Sequence, residues 1–274
     1  MKHPILLALA AGLLVLLVAF VLPLWRMAHG NGPTAGAVPF ATASATASAA
    51  PAAATQGLPW QVQPLPNGLA QVFGLVLGQD TLAQARAHIG DALQVALVAR
   101  LGEVGALEAL AEPFATGFVT GRLVLALEAP AEVLARWRSR AARSAPMGDG
   151  VRRFALRPAD QDEALAMQLT GLSFVPAVRL TEADVRQRFG APAQVLPAAS
   201  PGGLVLLYPA LGLAAAVGPA SRGVLQYVAP RDFERLLRAP LLGAASVAEP
   251  APKPTTAAPD LPPPAPLSAP ALQR

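Results

Sequence analysis

The sequence predicts an α+β fold: an internal duplication of a helix plus antiparallel β-meander unit, preceded by one transmembrane helix. Three observations carry this. The stretch Thr81-Leu82-Ala83-Gln84-Ala85-Arg86-Ala87-His88-Ile89-Gly90 returns one hundred positions later as Thr181-Glu182-Ala183-Asp184-Val185-Arg186-Gln187-Arg188-Phe189-Gly190. Short apolar runs broken by turn residues follow each copy, the pattern of antiparallel meanders. Residues 5–24 are uncharged and almost continuously apolar; at about 1.5 Å per residue they make a helix of roughly 30 Å, the thickness of a bilayer core.

Each copy of the repeat reads as one capped helix. Thr81 and Thr181 stand at the N-cap, and Gln84 and Asp184 three residues on reach back in a capping box. Ala85 with Ile89, and Val185 with Phe189, face one core. Gly90 and Gly190 stop the helices in a left-handed conformation. The echo continues without a gap: Gln94-Val95 returns as Gln194-Val195, and Arg122, Val124, Leu125, Ala129 and Pro130 return as Arg222, Val224, Leu225, Ala229 and Pro230. About a quarter of positions 80–137 are identical to 180–237, roughly twice chance for this composition.

Four segments follow. Residues 1–27 are the anchor, uncleaved because the apolar run is longer than a signal core and Trp25-Arg26 follows it. Residues 28–57 are an uncharged Ala/Ser/Thr/Pro/Gly tether, too polar and small to bury a core, with a random-coil reach of roughly 30 Å. Residues 58–243 are the duplicated domain, with units at 72–143 and 172–240. Residues 244–274 are a Pro/Ala-rich spacer.

The first unit reads as a strand over 72–77, the helix 81–89, strands at 93–99, 106–112 and 119–127, and a helix from Pro130 to Arg143 with Val133, Leu134 and Trp137 on one face. A strand at 151–156 and a helix at 161–169, for which Asp160 and Glu163 form a capping pair, connect the halves. The second unit reads as strands at 172–178, 194–196, 204–207, 211–217 and 224–228, the helix 181–189, and a helix from Arg231. All helices are expected on one face of two sheets or one continuous sheet.

The run Leu180-Thr181-Glu182-Ala183-Asp184-Val185 to Phe189-Gly190-Ala191-Pro192, then Leu206-Leu207-Tyr208, resembles the SmpA/OmlA (BamE-like) outer-membrane assembly lipoproteins and the related tandem β-lactamase-inhibitor-like fold. Their signature is a short helix ending in Phe/Leu-Gly-x-Pro followed by a meander with a Tyr strand. The likeness is clearest over 180–228; in the first half Asp91-Ala92 follows Gly90. It implies a binding role in the cell envelope. This chain departs from the family in lacking the lipidated cysteine, in its membrane span and in being duplicated.

Composition narrows the chemistry. The net charge is +4 and the only lysines are Lys2 and Lys253, so the domain's cations are all Arg. With no cysteine there is no thiolate nucleophile and no Cys-ligated zinc. The histidines are His3, His29 and His88, and no serine is positioned for a triad with His88. Acids of Asp160-Gln161-Asp162-Glu163 suit a helix start. No cofactor and no metal site is expected. Two acids in one strand, Glu108 and Glu112, point the same way and are read as exposed; they carry the alternative of an envelope enzyme acting on glycan or lipid.

The leading candidate surface is cationic: Arg136, Arg138, Arg140 and Arg143 on the predicted helix, then Arg152 and Arg153, suited to an acidic protein or phosphate headgroups. No aromatics interleave them, so nucleic acid is not expected as a partner. Arg122 and Arg222 are expected to pair with acids within each half. Lys2 before the span against Arg26 after it favours a cytoplasmic N-terminus and a periplasmic domain. The reading is a single-pass inner-membrane protein whose periplasmic domain binds another envelope protein without catalysis. A further alternative is an accessory subunit of a secretion or cell-division complex.

Overall fold

The computed structural model describes residues 57–248; the expected membrane span, nearly all of the tether and most of the proline-rich tail lie outside them. In chain order the strands are β1 (Gln63–Leu65), β2 (Leu69–Val72), β3 (Leu75–Leu77), β4 (Gln94–Arg100), β5 (Ala106–Thr116), β6 (Val119–Glu128), β7 (Arg143–Gly148), β8 (Val151–Ala155), β9 (Gln168–Pro176), β10 (Gln194–Pro197), β11 (Leu204–Tyr208), β12 (Leu213–Val217) and β13 (Val224–Val228). The α-helices are α1 (Leu82–Ile89), α2 (Ala131–Ser139), α3 (Pro158–Ala164), α4 (Glu182–Phe189) and α5 (Ala239–Ala248). The class is α+β. Ten strands form one sheet in the order β10-β11-β12-β13-β9-β6-β5-β4-β8-β7, while β1-β2-β3 form a small second sheet.

Every neighbouring pair in the large sheet is antiparallel. Its register lines up whole rows of side chains. Val95, Ala109, Leu125, Leu172, Tyr227, Leu213 and Tyr208 form one row. All face the main core, which also takes Leu82 and Ala85 of α1, Leu134 and Trp137 of α2, Ala164 of α3 and Val185 of α4. One residue further along each strand the side chains point the other way, as the pleat requires. The row Gln94, Leu110, Val124, Ser173, Gln226, Ala214, Leu207 and Gln194 lies on that opposite face.

The expectation that all helices share one face does not hold. After a 3₁₀ turn at Pro230–Asp232 and a π-helical turn at Glu234–Arg238, the C-terminal segment packs Phe233, Leu236, Leu237 and Leu241 onto Leu196, Val205, Leu207, Ala214 and Val228. Those strand residues alternate with Leu206 and Tyr208, which belong to the main core. The second half of the sheet is therefore apolar on both faces and needs a cover on each.

Both predicted capping boxes form. Thr81 Oγ1 accepts from the Gln84 N–H, and the Thr81 N–H donates to Gln84 Oε1 at 2.8 Å. The Thr181 N–H donates to Asp184 Oδ2 at 2.9 Å, and the Asp184 N–H returns to Thr181 Oγ1 at 3.2 Å. Gly90 and Gly190 close the helices at φ 108° and 81°, a region that favours glycine.

Other boundaries move for physical reasons. The single strand expected over 72–77 is a hairpin, β2 and β3, turning at Phe73-Gly74 with φ of 52° and 78°. A positive φ is unfavourable for Phe, but here it swings the ring into the core against Phe114, Phe174 and Tyr227. The helix expected to reach Arg143 ends at Ser139, and 143–148 become edge strand β7, whose mostly exposed residues show no alternation to predict it. The helix expected over 161–169 is α3, and Gln168 already opens β9. Asp160 does not cap it: the N-cap is Arg157 and carries no side-chain cap bond.

Candidate binding edge

The six arginines grouped by sequence separate into two sets. Arg136 on α2 and Arg140, the C-cap residue just beyond it, are four residues apart and face α3, where Asp160 and Glu163 are one turn apart. Arg136 pairs with Glu163, whose second oxygen accepts from Trp137 Nε1 at 3.1 Å. Arg140 pairs with Asp160 through both nitrogens of its fork, with Nε to Oδ2 at 3.1 Å. Arg138 points elsewhere, donating to the Glu103 carbonyl and lying over the Phe154 ring at 5.9 Å. The hydrogen bond from Arg136, then that from Trp137, holds the Glu163 carboxyl below its ordinary pKa. These three arginines clamp α2 to its neighbours.

The second set lies on β7 and β8. Arg143 and Arg152 are exposed and Arg153 half-buried. Arg152 donates to Ser144 Oγ at 2.7 Å and Arg153 to Gln94 Oε1 at 3.3 Å. Exposed Arg157 follows at the start of α3. Among the described residues none of these four has a carboxylate within ion-pair distance. Within this cluster the positive charge left free thus lies at the β7 end of the sheet, apart from the α2 set that sequence proximity placed beside it.

Among the described residues strand β7 pairs with β8 on one side and with nothing on the other. Pro146 lacks an N–H, and the register slips between Pro146 and Gly148. Both features blunt an edge against open-ended strand addition. What the edge offers a partner is the guanidinium groups and the short stretch Arg143–Ala145.

The paired-carboxylate reading changes. Glu108 is not exposed: it is 8% accessible, seated between Ala96 and Ala126 of the flanking strands. Its Oε1 is buried without a hydrogen-bond partner. Burial raises its pKa to about 7, against the lowering effect of the Arg153 charge. Glu112, by contrast, is exposed beside the bulge of β5 and gives both oxygens to Arg122, at 2.8 Å each. Arg122 therefore pairs within its half as expected. Among the described residues Arg222 makes no such side-chain pair.

His88 is exposed on α1, next to Gly74. No group of three or more His, Cys, Asp or Glu side chains that could hold a metal gathers among the described residues. Tyr208 donates to the Gly190 carbonyl at 3.0 Å, and its ring lies 5.8 Å from Phe189. Sequence reading missed Glu108 as a buried acid. The available signal was its setting in Ala106-Leu107-Glu108-Ala109-Leu110, apolar on both faces, which marks a central strand. No protein-family model matches the chain, nor does any curated protein or solved structure.

Proposed function

We propose that this chain is a membrane-anchored envelope protein that captures another envelope protein at the cationic β7–β8 edge, without catalysing a reaction. The observation that carries the proposal is the free charge of Arg143, Arg152 and Arg157 on an exposed edge, while Arg136 and Arg140 are neutralised by Glu163 and Asp160. Such a surface suits an acidic segment, bound by charge-assisted hydrogen bonds from planar guanidinium forks. The apolar run at 5–24 supplies the anchor and the following residues the tether. We also read the domain as a duplication. The hundred-residue offset carries α1 onto α4, and carries β5 onto β11 and β12 together, so the second copy folds the long strand in two at Pro209–Leu211. The Phe189–Tyr208 contact supports kinship with the SmpA/OmlA (BamE-like) fold.

In-cell photocrosslinking from position 145 tests the proposal, with protease accessibility in spheroplasts read from the same cells. A discrete adduct lost on Arg143→Glu/Arg152→Glu, with the domain cleavable from outside, is expected. An unchanged adduct removes the cationic edge as the interface, and a protected domain inverts the topology.

One observation favours a second reading. A buried carboxyl titrating near neutrality is the form a general acid takes, so Glu108 serves the envelope-enzyme alternative. Glu108→Gln that abolishes a cellular phenotype with the fold intact would support it over the binding role.

A further inference from the structure

One end of the large sheet combines exposed apolar side chains with free arginines, at the point where the described chain begins. The Gly57 carbonyl accepts from Thr116 Oγ1 at 2.8 Å, at the end of β5. Three residues on, the Trp60 ring lies 5.9 Å from Phe118 in the β5–β6 turn, and the Arg188 guanidinium stacks on Trp60 at 3.9 Å. Phe118 is 71% exposed. The Ala177 N–H donates to the Thr120 carbonyl, which brings Val178, 74% exposed, and Arg179 alongside that turn. The Leu180 N–H donates to the Arg222 carbonyl, adding a third exposed arginine to Arg179 and Arg188.

The acids of this end are engaged. Glu112 holds Arg122, Glu182 holds Arg186, and Asp184 closes its capping box. Among the described residues Arg179, Arg188 and Arg222 have no carboxylate in ion-pair range. An aromatic and apolar tip ringed by free arginines is the composition of a membrane-interface contact: rings and Val enter the headgroup layer, and guanidinium groups meet lipid phosphates.

We propose that the sheet end formed by Trp60, Phe118, Val178, Arg179, Arg188 and Arg222 rests in the headgroup layer of an anionic bilayer. The inference rests on reading residues 5–24 as the anchor, and it fixes which end of the domain faces that membrane. Residues 28–57, which follow the anchor in the sequence, lead into the domain at Gly57, within this tip, so this end is the one joined to the anchor by the shortest stretch of chain. Leu101, 90% exposed, lies in the β4–β5 turn at the opposite end. That turn carries no aromatic residue, and the chain does not enter there, so it serves as the control.

The absence of cysteine makes the test direct. Full-length Phe118→Cys, Val178→Cys and Leu101→Cys each take a single nitroxide, and the chain is reconstituted into phosphatidylcholine vesicles containing phosphatidylglycerol. Collisions with oxygen and with a water-soluble nickel chelate are then measured. The expected result is a several-fold lower nickel accessibility at 118 and 178 than at 101, reversed by Arg179→Glu/Arg188→Glu/Arg222→Glu. Equal accessibility at all three sites, in chains that float with the vesicles, overturns the tip contact and leaves the anchor standing. Shielding at all three overturns the assignment of this end. Chains that fail to float overturn the anchor reading and this inference with it.

Discussion

The guanidinium of Arg140 binds the carboxylate of Asp160, a side chain with no solvent exposure. This contact joins α2 to α3. Breaking such a pair from one side leaves a buried charge without its partner, whereas replacing both residues removes the problem. Arg140 is itself 40% exposed, so solvent screens part of the attraction. Arg140→Ala is expected to destabilise the fold, and Arg140→Leu/Asp160→Leu to destabilise it less than the single change. Urea unfolding followed by fluorescence decides it; a double variant weaker than Arg140→Ala would contradict the account.

Glu108 predicts a stability slope in the opposite sense to most carboxylates. Its folded pKa, about 7, is above the ordinary 4.5 because burial disfavours the charged form, with Arg153 opposing. Between those values the folded chain holds a proton that the unfolded chain has released. Its contribution is therefore fully present below about pH 4.5 and is lost as pH rises through about 7. The full difference is on the order of 3 kcal/mol. Glu108→Gln should flatten the stability profile over that window, and Arg153→Ala should push the titration higher. A wild-type profile level from pH 5 to 8 would be incompatible with this.

Removing the caps tests whether the two boxes act alike. Thr81→Ala and Thr181→Ala should each cost about 1 kcal/mol, and the double variant should show the sum, since each box serves its own helix. The hydrogen bonds from Thr181 hold the Asp184 carboxyl below its ordinary pKa. The α4 cap should therefore weaken as pH falls into the carboxylate range, while the α1 cap, with neutral Gln84, should not. Thermal melts at two pH values separate these outcomes.

Tyr227 links the domain's entry segment to its core. Its buried hydroxyl donates to the Pro59 carbonyl at 2.7 Å, and burial holds its pKa well above the ordinary value. Tyr227→Phe keeps the ring among Phe73 and its neighbours but leaves that carbonyl unsatisfied, a cost of about 1–2 kcal/mol. Amide exchange at Leu58 and Trp60 should accelerate while that of β13 stays slow. Uniform acceleration would mean that the ring, not the hydroxyl, was disturbed.

The covered second face makes a separate prediction. Leu237 is 1% exposed between the C-terminal segment and the sheet, so Leu237→Ala should cost about 2–4 kcal/mol by cavity formation. Leu101→Ser, at an exposed turn, should be nearly neutral. Similar denaturation midpoints for both would remove the C-terminal segment from the cooperative core.

How legible each element was depended on how far away its cause lay. The caps of α1 and α4 were readable because Thr81, Gln84 and Gly90, or Thr181, Asp184 and Gly190, all fall within ten residues and act through local backbone bonds. Most strands of the large sheet were readable from apolar runs bounded by turns. Strand β7 was not, since Arg143–Gly148 gains its conformation from pairing with β8 rather than from its own pattern. The cationic group was visible as composition but not as a surface, because Asp160 and Glu163 lie twenty and more residues beyond the arginines that they neutralise.

Local chemistry in the sequence was sufficient for the α+β class, the two capped helices and the meanders between them, because hydrogen bonds within a few residues and the two-residue pleat need no distant partner. Tertiary structure alone decided that the meanders join into one sheet, that helical segments cover both of its faces, and that Glu108 is buried. It also divided the arginines into clamps and free charges. Each of these depends on residues far apart in the chain arriving at one place, and burial and charge pairing are properties of that arrival.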